Sequence, residues 1–325
     1  MKKKILQKFS QYFIAFIFIS TLNFFIPRLM PGDPFTFLSS ESNSDLVTFS
    51  DEQIQKYKAY YGLDKPISVQ YINYLKNIFK GYLGYSIILN QEVLSIIMDR
   101  ILWTISLVLI STITSAILGM FLGCISAYYR NKIIDKIFYF LFVIFSEIPS
   151  FLIGVLFLFY FSAYLKIFPL SGGISAFVNY NSIYEYIFDL GYHAILPIIT
   201  LSFTNIGGFY LLSRNSMISV LEKDYMITAR AKGLNKKRII FSHALKNAIL
   251  PVITKVFLNF GYVIGGSILI ENVFNYPGIG MLMKNAVFYR DYPLIQGIFL
   301  LLAIMVLTMN LFADLIYKKL DPRLK

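Results

Sequence analysis

Long apolar stretches without a single charged side chain constrain this 325-residue chain more than any other feature. Four such stretches contain no Asp, Glu, Lys or Arg: 9–27, 101–129, 190–213 and 292–313. The hydrocarbon core of a bilayer is about 30 Å thick and requires about 20 apolar residues in helical form to cross it. Charged residues make up 15% of the chain, whereas soluble domains carry about 25%. The sequence therefore predicts a membrane protein rather than a water-soluble globule.

Two further stretches are apolar except for one charged residue each, Glu147 within 137–165 and Lys255 within 247–270. With them the sequence predicts six transmembrane helices and an all-α integral membrane protein. The lysines before the first stretch are also typical of a secretory signal. That stretch is followed by Arg28 rather than by the small residues of a cleavage site, so we expect a retained helix.

The distribution of positive charge predicts the orientation. Nineteen of the thirty Lys and Arg residues fall at the two termini and in the loops 130–136 and 214–246, all on one side of the six spans, and ten fall on the other side. Positive loops near span ends stay cytoplasmic, so both termini are expected to be cytoplasmic. The net charge of +12 is then explained by topology, and no nucleic-acid partner is expected.

The outer segment 31–100 contains signals for two short helices. Ser50-Asp-Glu-Gln53 has the pattern of a capping box, which predicts a helix through Tyr60 that ends near Gly62. The stretch 69–79 is amphipathic and is followed by Gly81. We expect both helices to form an ordered extracytoplasmic cap.

The loop 214–246 predicts a helix, a turn and a second helix at the membrane face. Asp224 can cap a first helix over 225–232, Gly233 can end it, and Asn235 can cap a second helix over 236–247. Two interpretations remain equally weighted on composition: insertion into the groove of a partner protein, or adhesion to anionic lipid headgroups. The apolar and small residues that suit a protein groove are Tyr225, Ile227, Thr228, Ala229 and Ala231. The basic residues that suit lipid are Arg230, Lys232, Lys236, Lys237 and Arg238.

This loop resembles the cytoplasmic coupling loop of the dipeptide, oligopeptide and nickel class of ABC-transporter permeases. The resemblance is carried by Asp224-Tyr-Met-Ile-Thr-Ala-Arg-Ala-Lys-Gly-Leu234 and by His243-Ala-Leu-Lys-Asn-Ala-Ile-Leu-Pro251. It extends along most of the chain, through Arg28-Leu-Met-Pro-Gly-Asp-Pro34, Tyr61-Gly-Leu-Asp-Lys-Pro66, Glu271-Asn-Val-Phe274, Arg290-Asp-Tyr-Pro293 and Leu320-Asp-Pro-Arg323. The order and spacing of these motifs together are specific.

The resemblance implies an import permease subunit in a prokaryotic plasma membrane. Its partners would be a second, different permease, two ATPase subunits, an extracytoplasmic solute-binding protein and the surrounding lipid. ATP and Mg²⁺ would be bound by the ATPases, and this chain would hold no cofactor. The implied coupling residues are Asp224, Tyr225, Ile227, Thr228, Ala229, Arg230, Ala231, Lys232, Gly233 and Leu234. The solute, a peptide, nickel or a metal chelate, is left open.

One motif departs from the wider importer superfamily, as expected of this subclass, and another departs from the family pattern. Ile227-Thr228-Ala229 stands where the wider importer superfamily has Glu-Ala-Ala before the glycine, and Tyr82 stands where an acid is expected.

The implied organisation is a first helix at 1–30, a cap at 31–100 and a five-helix core at 101–325 that includes the coupling loop 214–247.

Enzymatic function is not expected from the motifs. The chain has no Gly-x-x-x-x-Gly-Lys-Ser/Thr run to cradle phosphates, and neither His-Glu-x-x-His nor Gly-x-Ser-x-Gly occurs. His193 and His243 are predicted on opposite sides of the membrane, and with Cys124 as the single cysteine no metal site is expected. The alternative function is a secondary transporter driven by an ion gradient.

Four polar side chains are predicted at apolar depth: Glu147, Asn205, Lys255 and Asn259. A charge at that depth costs roughly 2.5–3.5 kcal/mol, so Glu147 and Lys255 are expected either to pair with each other or to line the solute path, and pairing is favoured. For the two asparagines, hydrogen bonds between helices are favoured over a place in the pore. Gly207-Gly208 and Gly265-Gly266 are expected at hinges or, preferably, at close helix contacts.

Overall fold

The structure is a computed structural model, and it describes residues 2–29, 51–233, 235 and 238–320. Within these ranges the chain forms helices and one isolated bridge between Tyr85 and Glu92, with no strand. The α-helices are α1 (Lys2–Arg28), α2 (Asp51–Tyr60), α3 (Ile67–Phe79), α4 (Val93–Tyr128), α5 (Ile133–Glu147), α6 (Ser150–Phe157), α7 (Ile183–Leu221), α8 (Asp224–Ala231), α9 (Leu245–Val273), α10 (Ile279–Phe288) and α11 (Tyr292–Leu320). Two π-helical segments, Leu158–Tyr164 and Ile239–Ala244, continue α6 and precede α9.

Four of the predicted spans are single helices long and apolar enough to cross a membrane, and they lie in α1, α4, α7 and α11. The other two are bent. The helical stretches Ile133–Glu147 and Ser150–Tyr164 meet at 97°, and Leu245–Gly261 and Val263–Val273 meet at 53°. The described residues therefore provide four to six candidate membrane helices, depending on whether each bent pair counts as one span.

The sharper bend has a local cause. Pro149 has no backbone N–H, and a proline disfavours the helical conformation in the residue before it. Ile148 is accordingly extended, with φ −80° and ψ 125°, and α5 ends at Glu147. The proline therefore divides the predicted span 137–165 into two helical stretches.

The chain divides into two compact units. The first comprises residues 1–102 and 278–307. Its core joins α4, α10 and α11 through Val93, Ile97, Ile279 and Ile298, all nearly inaccessible to solvent. Within the same unit Asn23 of α1 donates hydrogen bonds to the Tyr74 hydroxyl of α3 (3.1 Å) and to the Gln296 carbonyl of α11 (2.8 Å).

The two helices predicted in the segment 31–100 are present as α2 and α3. Each is followed by a glycine with positive φ, Gly62 at +68° and Gly81 at +74°, as expected for a left-handed terminator. Ser50, the first residue of the predicted capping box, lies outside the described residues, as do 30–34 of the motif after the first span. That these helices face the outside of the cell stays a prediction.

The second unit comprises residues 103–277 and 308–325, and α7 is its central helix. Helix α7 packs against α5, α6 and α9. Glycines permit close backbone approach: a Cβ added at Gly207 would lie 2.4 Å from the Phe142 carbonyl of α5, and one at Gly119 of α4 would lie 2.9 Å from the Ile206 carbonyl of α7. Gly207 is therefore at a close helix contact. Gly265 differs, because a Cβ there meets no described atom within 4 Å.

We expect Gly207→Ala to destabilise the protein and Gly265→Ala not to. The methyl group at position 207 would force α5 and α7 apart, and overpacking of this kind costs roughly 1–3 kcal/mol. At position 265 the alanine fits and favours the helix by about 0.5–1 kcal/mol. Thermal unfolding of both variants in detergent would test this, and equal midpoints would contradict it.

Candidate functional site

The loop helix α8 is anchored on one side by Met226. Met226 is fully buried and packs against Met217 of α7 and against Ala244 and Ala248 at the start of the α9 region. Gly233 follows the helix with φ +69°, so it supplies the predicted left-handed terminator. Asp224, predicted as the cap, is instead the first residue of the helix.

The opposite side of α8 is exposed. Tyr225 is 45% and Ile227 is 58% accessible, and Thr228, Ala231, Lys232 and Gly233 are also exposed. The side chains of Ala229 and Arg230 and the whole of Leu234, Lys236 and Lys237 lie outside the described residues. Exposed apolar side chains on a helix that is fixed by its other face are suited to a protein contact.

A cleft of 820 Å³ lies beside this exposed face. It is lined by Ile227 of α8, by Tyr128 and Arg130 at the end of α4, and by Ile239 and Ile240 of the π-helical segment. Arg130 also forms an exposed ion pair with Glu222. The helix and the cleft together give a concave surface with an apolar floor.

A buried carboxylate joins the three helices that lead to this surface. Asp135 of α5 accepts hydrogen bonds from Arg214 of α7 through Nε (2.6 Å) and Nη2 (2.8 Å) and from the Ser126 hydroxyl of α4. The Asn131 amide donates a further bond to it (3.1 Å), and the hydroxyl groups of Ser126 and Tyr210 share a hydrogen bond (2.7 Å). Asp135 is 3% accessible. The motifs did not identify this cluster, although Asp135 is the one acid in an otherwise basic short loop.

The four polar residues predicted at apolar depth all line one cavity of 510 Å³, which we call the central cavity. Glu147 comes from α5, Asn205 from α7, and Lys255 and Asn259 from α9. Asn259 donates a hydrogen bond from Nδ2 to Asn205 Oδ1 (3.3 Å), which is the predicted contact between helices. The structure therefore brings together side chains that lie up to 112 positions apart in the sequence.

The predicted ion pair between Glu147 and Lys255 is not formed. In the part of the chain that the structure describes, no ion pair within 4 Å includes either residue. The Lys255 ammonium lies 5.2 Å from the centre of the Phe209 ring. It also approaches Gly208, where an added Cβ would be 2.7 Å from Nζ. Both charges border the same cavity instead of neutralising each other.

Metal binding has no support from this geometry. No group of three or more His, Cys, Asp or Glu side chains comes together in residues 2–29, 51–233, 235 and 238–320. The polar groups of the cavity are one carboxylate, one ammonium, amides and hydroxyls, which can form hydrogen bonds and ion pairs.

Two family models match the chain. One is described as "Binding-protein-dependent transport system inner membrane component" and matches residues 119–325. The other is described as "Binding-prot-dependent transport system membrane comp, N-term" and matches residues 1–108. Together they extend over most of the sequence.

Curated relatives match over nearly their full length. The oligopeptide transport system permease protein AppB of Bacillus subtilis (strain 168) is 36% identical over 310 residues, 94% of this chain and 94% of the relative. The probable peptide ABC transporter permease protein y4tP of Sinorhizobium fredii is 33% identical over 302 residues, 93% and 92%. The glutathione transport system permease protein GsiC of Salmonella choleraesuis is 33% identical over 310 residues, 95% and 94%.

A solved structure shares the fold. The MetNI methionine ABC transporter in inward-facing conformations superposes with a TM-score of 0.56, covering 70% of this chain and 97% of the solved chain. The sequences are 14% identical in this comparison, so the likeness concerns the arrangement of helices alone.

The buried cluster at Asp135 predicts a clear difference between two acidic residues. Asp135→Asn removes the counter-charge of Arg214, and breaking a buried pair in this way costs roughly 3–5 kcal/mol. Glu222→Gln removes an exposed pair, which contributes about 0–1 kcal/mol. Thermal unfolding in detergent should show a much lower unfolding midpoint for Asp135→Asn and an almost unchanged midpoint for Glu222→Gln. Similar midpoints for the two variants would contradict the assignment of Asp135 as the buried structural acid.

Proposed function

Because the chain belongs to the family of binding-protein-dependent transport system inner membrane components, we propose that it is the permease subunit of an ATP-driven importer of peptides. The peptide class is supported by the relatives, two of which are named as peptide or oligopeptide permeases and one as a permease for glutathione. The chain would form half of the translocation path, and a second permease would form the other half.

The observation that carries this proposal is the anchored helix α8. Mechanical coupling requires a helix that is held firmly by its own subunit and still offers a face to a partner. Met226 anchors the helix, since it is fully buried against α7 and the α9 region. Tyr225 and Ile227 form the exposed face. We therefore assign residues 224–234 as the coupling segment that docks on an ATPase subunit.

The partners follow from what the sequence contains. It has no phosphate-binding loop motif, so the energy of ATP would arrive from two separate ATPase subunits that bind ATP and Mg²⁺. The excess of positive charge around 130–136, 214–246 and the termini supports a cytoplasmic location for α8 and for both ends of the chain. An extracytoplasmic solute-binding protein would deliver the peptide on the opposite side.

Transport would proceed by alternating access. Closure of the ATPases on ATP would move α8, and the contacts of Met226 would carry that displacement into α7 and α9. These two helices also line the central cavity. Movement at the coupling segment and opening of the cavity to one side or the other are thus linked through the same pair of helices.

Substitution of the exposed face of α8 should uncouple transport without unfolding the protein. Ile227→Asp places a charge on the docking face, and we expect at least about a tenfold loss of ATP-dependent uptake, since a buried unpaired charge costs several kcal/mol. Lys223→Gln, an exposed change just before the helix, is the matched control and should behave like the wild type. Normal uptake by Ile227→Asp, with an unchanged unfolding midpoint in detergent for both variants, would refute the coupling role.

The solute and the energy source can be tested together. A strain without this gene should lose uptake of a labelled oligopeptide and retain uptake of radioactive nickel, and the gene on a plasmid should restore peptide uptake. Loss of nickel uptake alone would assign the chain to metal or chelate import. Peptide uptake that survives ATP depletion while the ion gradient is maintained would favour a secondary transporter.

A further inference from the structure

The central cavity combines opposite charges from two stretches that the sequence predicts to lie in the membrane. Glu147 and Lys255 lie in stretches that are otherwise free of charged residues, and both line the same cavity of 510 Å³. Charged side chains within transmembrane segments are rare, and those present usually face a water-filled cavity or a partner. The volume falls within the roughly 300–1,000 Å³ typical of pockets for small ligands.

Neither charge has an ion-pair partner in the described part of the chain. Glu147 is exposed, lines the cavity and accepts no hydrogen bond from residues in the described ranges, and no ion pair within 4 Å includes it. Lys255 is half-buried, and its ammonium lies beside the small residue Gly208 and over the face of Phe209. Gly208 and Lys255 both line the cavity, so an anion bound there could supply the carboxylate partner that Lys255 lacks.

The cavity also offers amide groups. Asn205 uses its Nδ2 to bond the Leu201 carbonyl (2.7 Å), and its Oδ1 accepts from Asn259 (3.3 Å). An asparagine amide has two donor hydrogens and an acceptor oxygen, and the Oδ1 of Asn259 takes part in no hydrogen bond among the described residues. One carboxylate, one ammonium and a spare amide are the complement of a zwitterion with a peptide bond.

We propose that this cavity is a transient binding site for short peptides with free ends: Lys255 binds the terminal carboxylate, Glu147 binds the terminal ammonium, and Asn259 accepts a peptide N–H. The inference rests on the proposed function, since it names the chemistry by which the path recognises its solute. It assigns Glu147 and Lys255 as residues that determine which peptide ends are accepted after delivery.

The test uses the complete transporter in proteoliposomes with its solute-binding protein. The probes are labelled trialanine, its N-acetyl derivative and its C-terminal amide, each supplied at a concentration that saturates the binding protein. The variants are Lys255→Gln and Glu147→Gln, with Lys255→Arg as the conservative replacement. Lys284→Gln and Asp99→Asn are matched controls, since both side chains are exposed and lie outside the cavity lining.

In the wild type, free trialanine should enter at least about tenfold faster than either blocked peptide, the effect expected of one contact between charged groups. Lys255→Gln should remove the preference over the amide and keep the preference over the acetylated peptide. Glu147→Gln should do the reverse. Lys255→Arg should preserve both preferences, and the two control variants should match the wild type.

Three outcomes would overturn the inference. One is that Lys255→Gln or Glu147→Gln slows the import of all three peptides by the same factor. The second is that Lys255→Gln or Glu147→Gln leaves the preference for free ends unchanged. The third is a complex that fails to assemble after Lys255→Gln or Glu147→Gln, which would show that the charge holds subunits together. A wild-type complex that imports none of the three peptides would refute the proposed function itself, whereas equal import of all three would refute only this inference.

Discussion

Hydrocarbon offers no hydrogen-bond partner to a peptide N–H or C=O, so each residue of a membrane-crossing segment has to satisfy these groups within the chain. The long helices α1, α4, α7 and α11 do so through the hydrogen bonds between successive turns, apart from the donors that Pro27 removes from α1 and Pro197 removes from α7. The sharp break at Ile148–Pro149 is the informative exception, since it leaves backbone groups outside the helical pattern. Ile148 and Pro149 both border the central cavity, and non-helical backbone at membrane depth is tolerated where it lines such a space. The break, the cavity and the polar side chains around it are therefore consequences of one constraint.

The second unit contains charged side chains in two contrasting environments. Asp135 receives bonds from a guanidinium, a hydroxyl and a backbone amide, so its charge is fully compensated and it fixes three helices to one another. Glu147 and Lys255 border a cavity without an ion-pair partner in the described ranges. A carboxylate whose charge is compensated is suited to holding structure, and a charge without a counter-ion is suited to meeting a ligand. The proposed roles of these groups therefore differ because the fold supplies them with different neighbours.

The parts of the fold that were predicted correctly depend on local properties of the sequence. Stretches without charge located the membrane helices, and glycines at 62, 81 and 233 located the ends of α2, α3 and α8. The parts that were missed depend on distant partners. Asp135 pairs with Arg214, which lies 79 positions away in the sequence, and no local pattern indicates which arginine will pair with a given acid. The bend at Pro149 has a local cause, but the hydropathy of 137–165 is the same whether the segment is straight or bent, so hydropathy does not indicate it. Likewise, the depth of Glu147, Asn205, Lys255 and Asn259 was predicted from their spans, but their convergence on one cavity is a property of helix packing.

Helix α7 has 39 residues and is about 58 Å long at 1.5 Å per residue, almost twice the thickness of the hydrocarbon it would cross. Its close contacts at Gly207 with α5 and at Ile206 with α4 lie nearer the end that leads to α8. Pro197 removes one backbone donor from the longer part of the helix, on the far side of these contacts. If the helix turned about this crossing as one body, its arms would be about 36 Å on the far side and about 21 Å on the side of α8, so the two ends would move in opposite directions and the far end would travel further. Narrowing on one side of the membrane and widening on the other would then be a single rotation, and a small push on the short arm would be amplified at the other face.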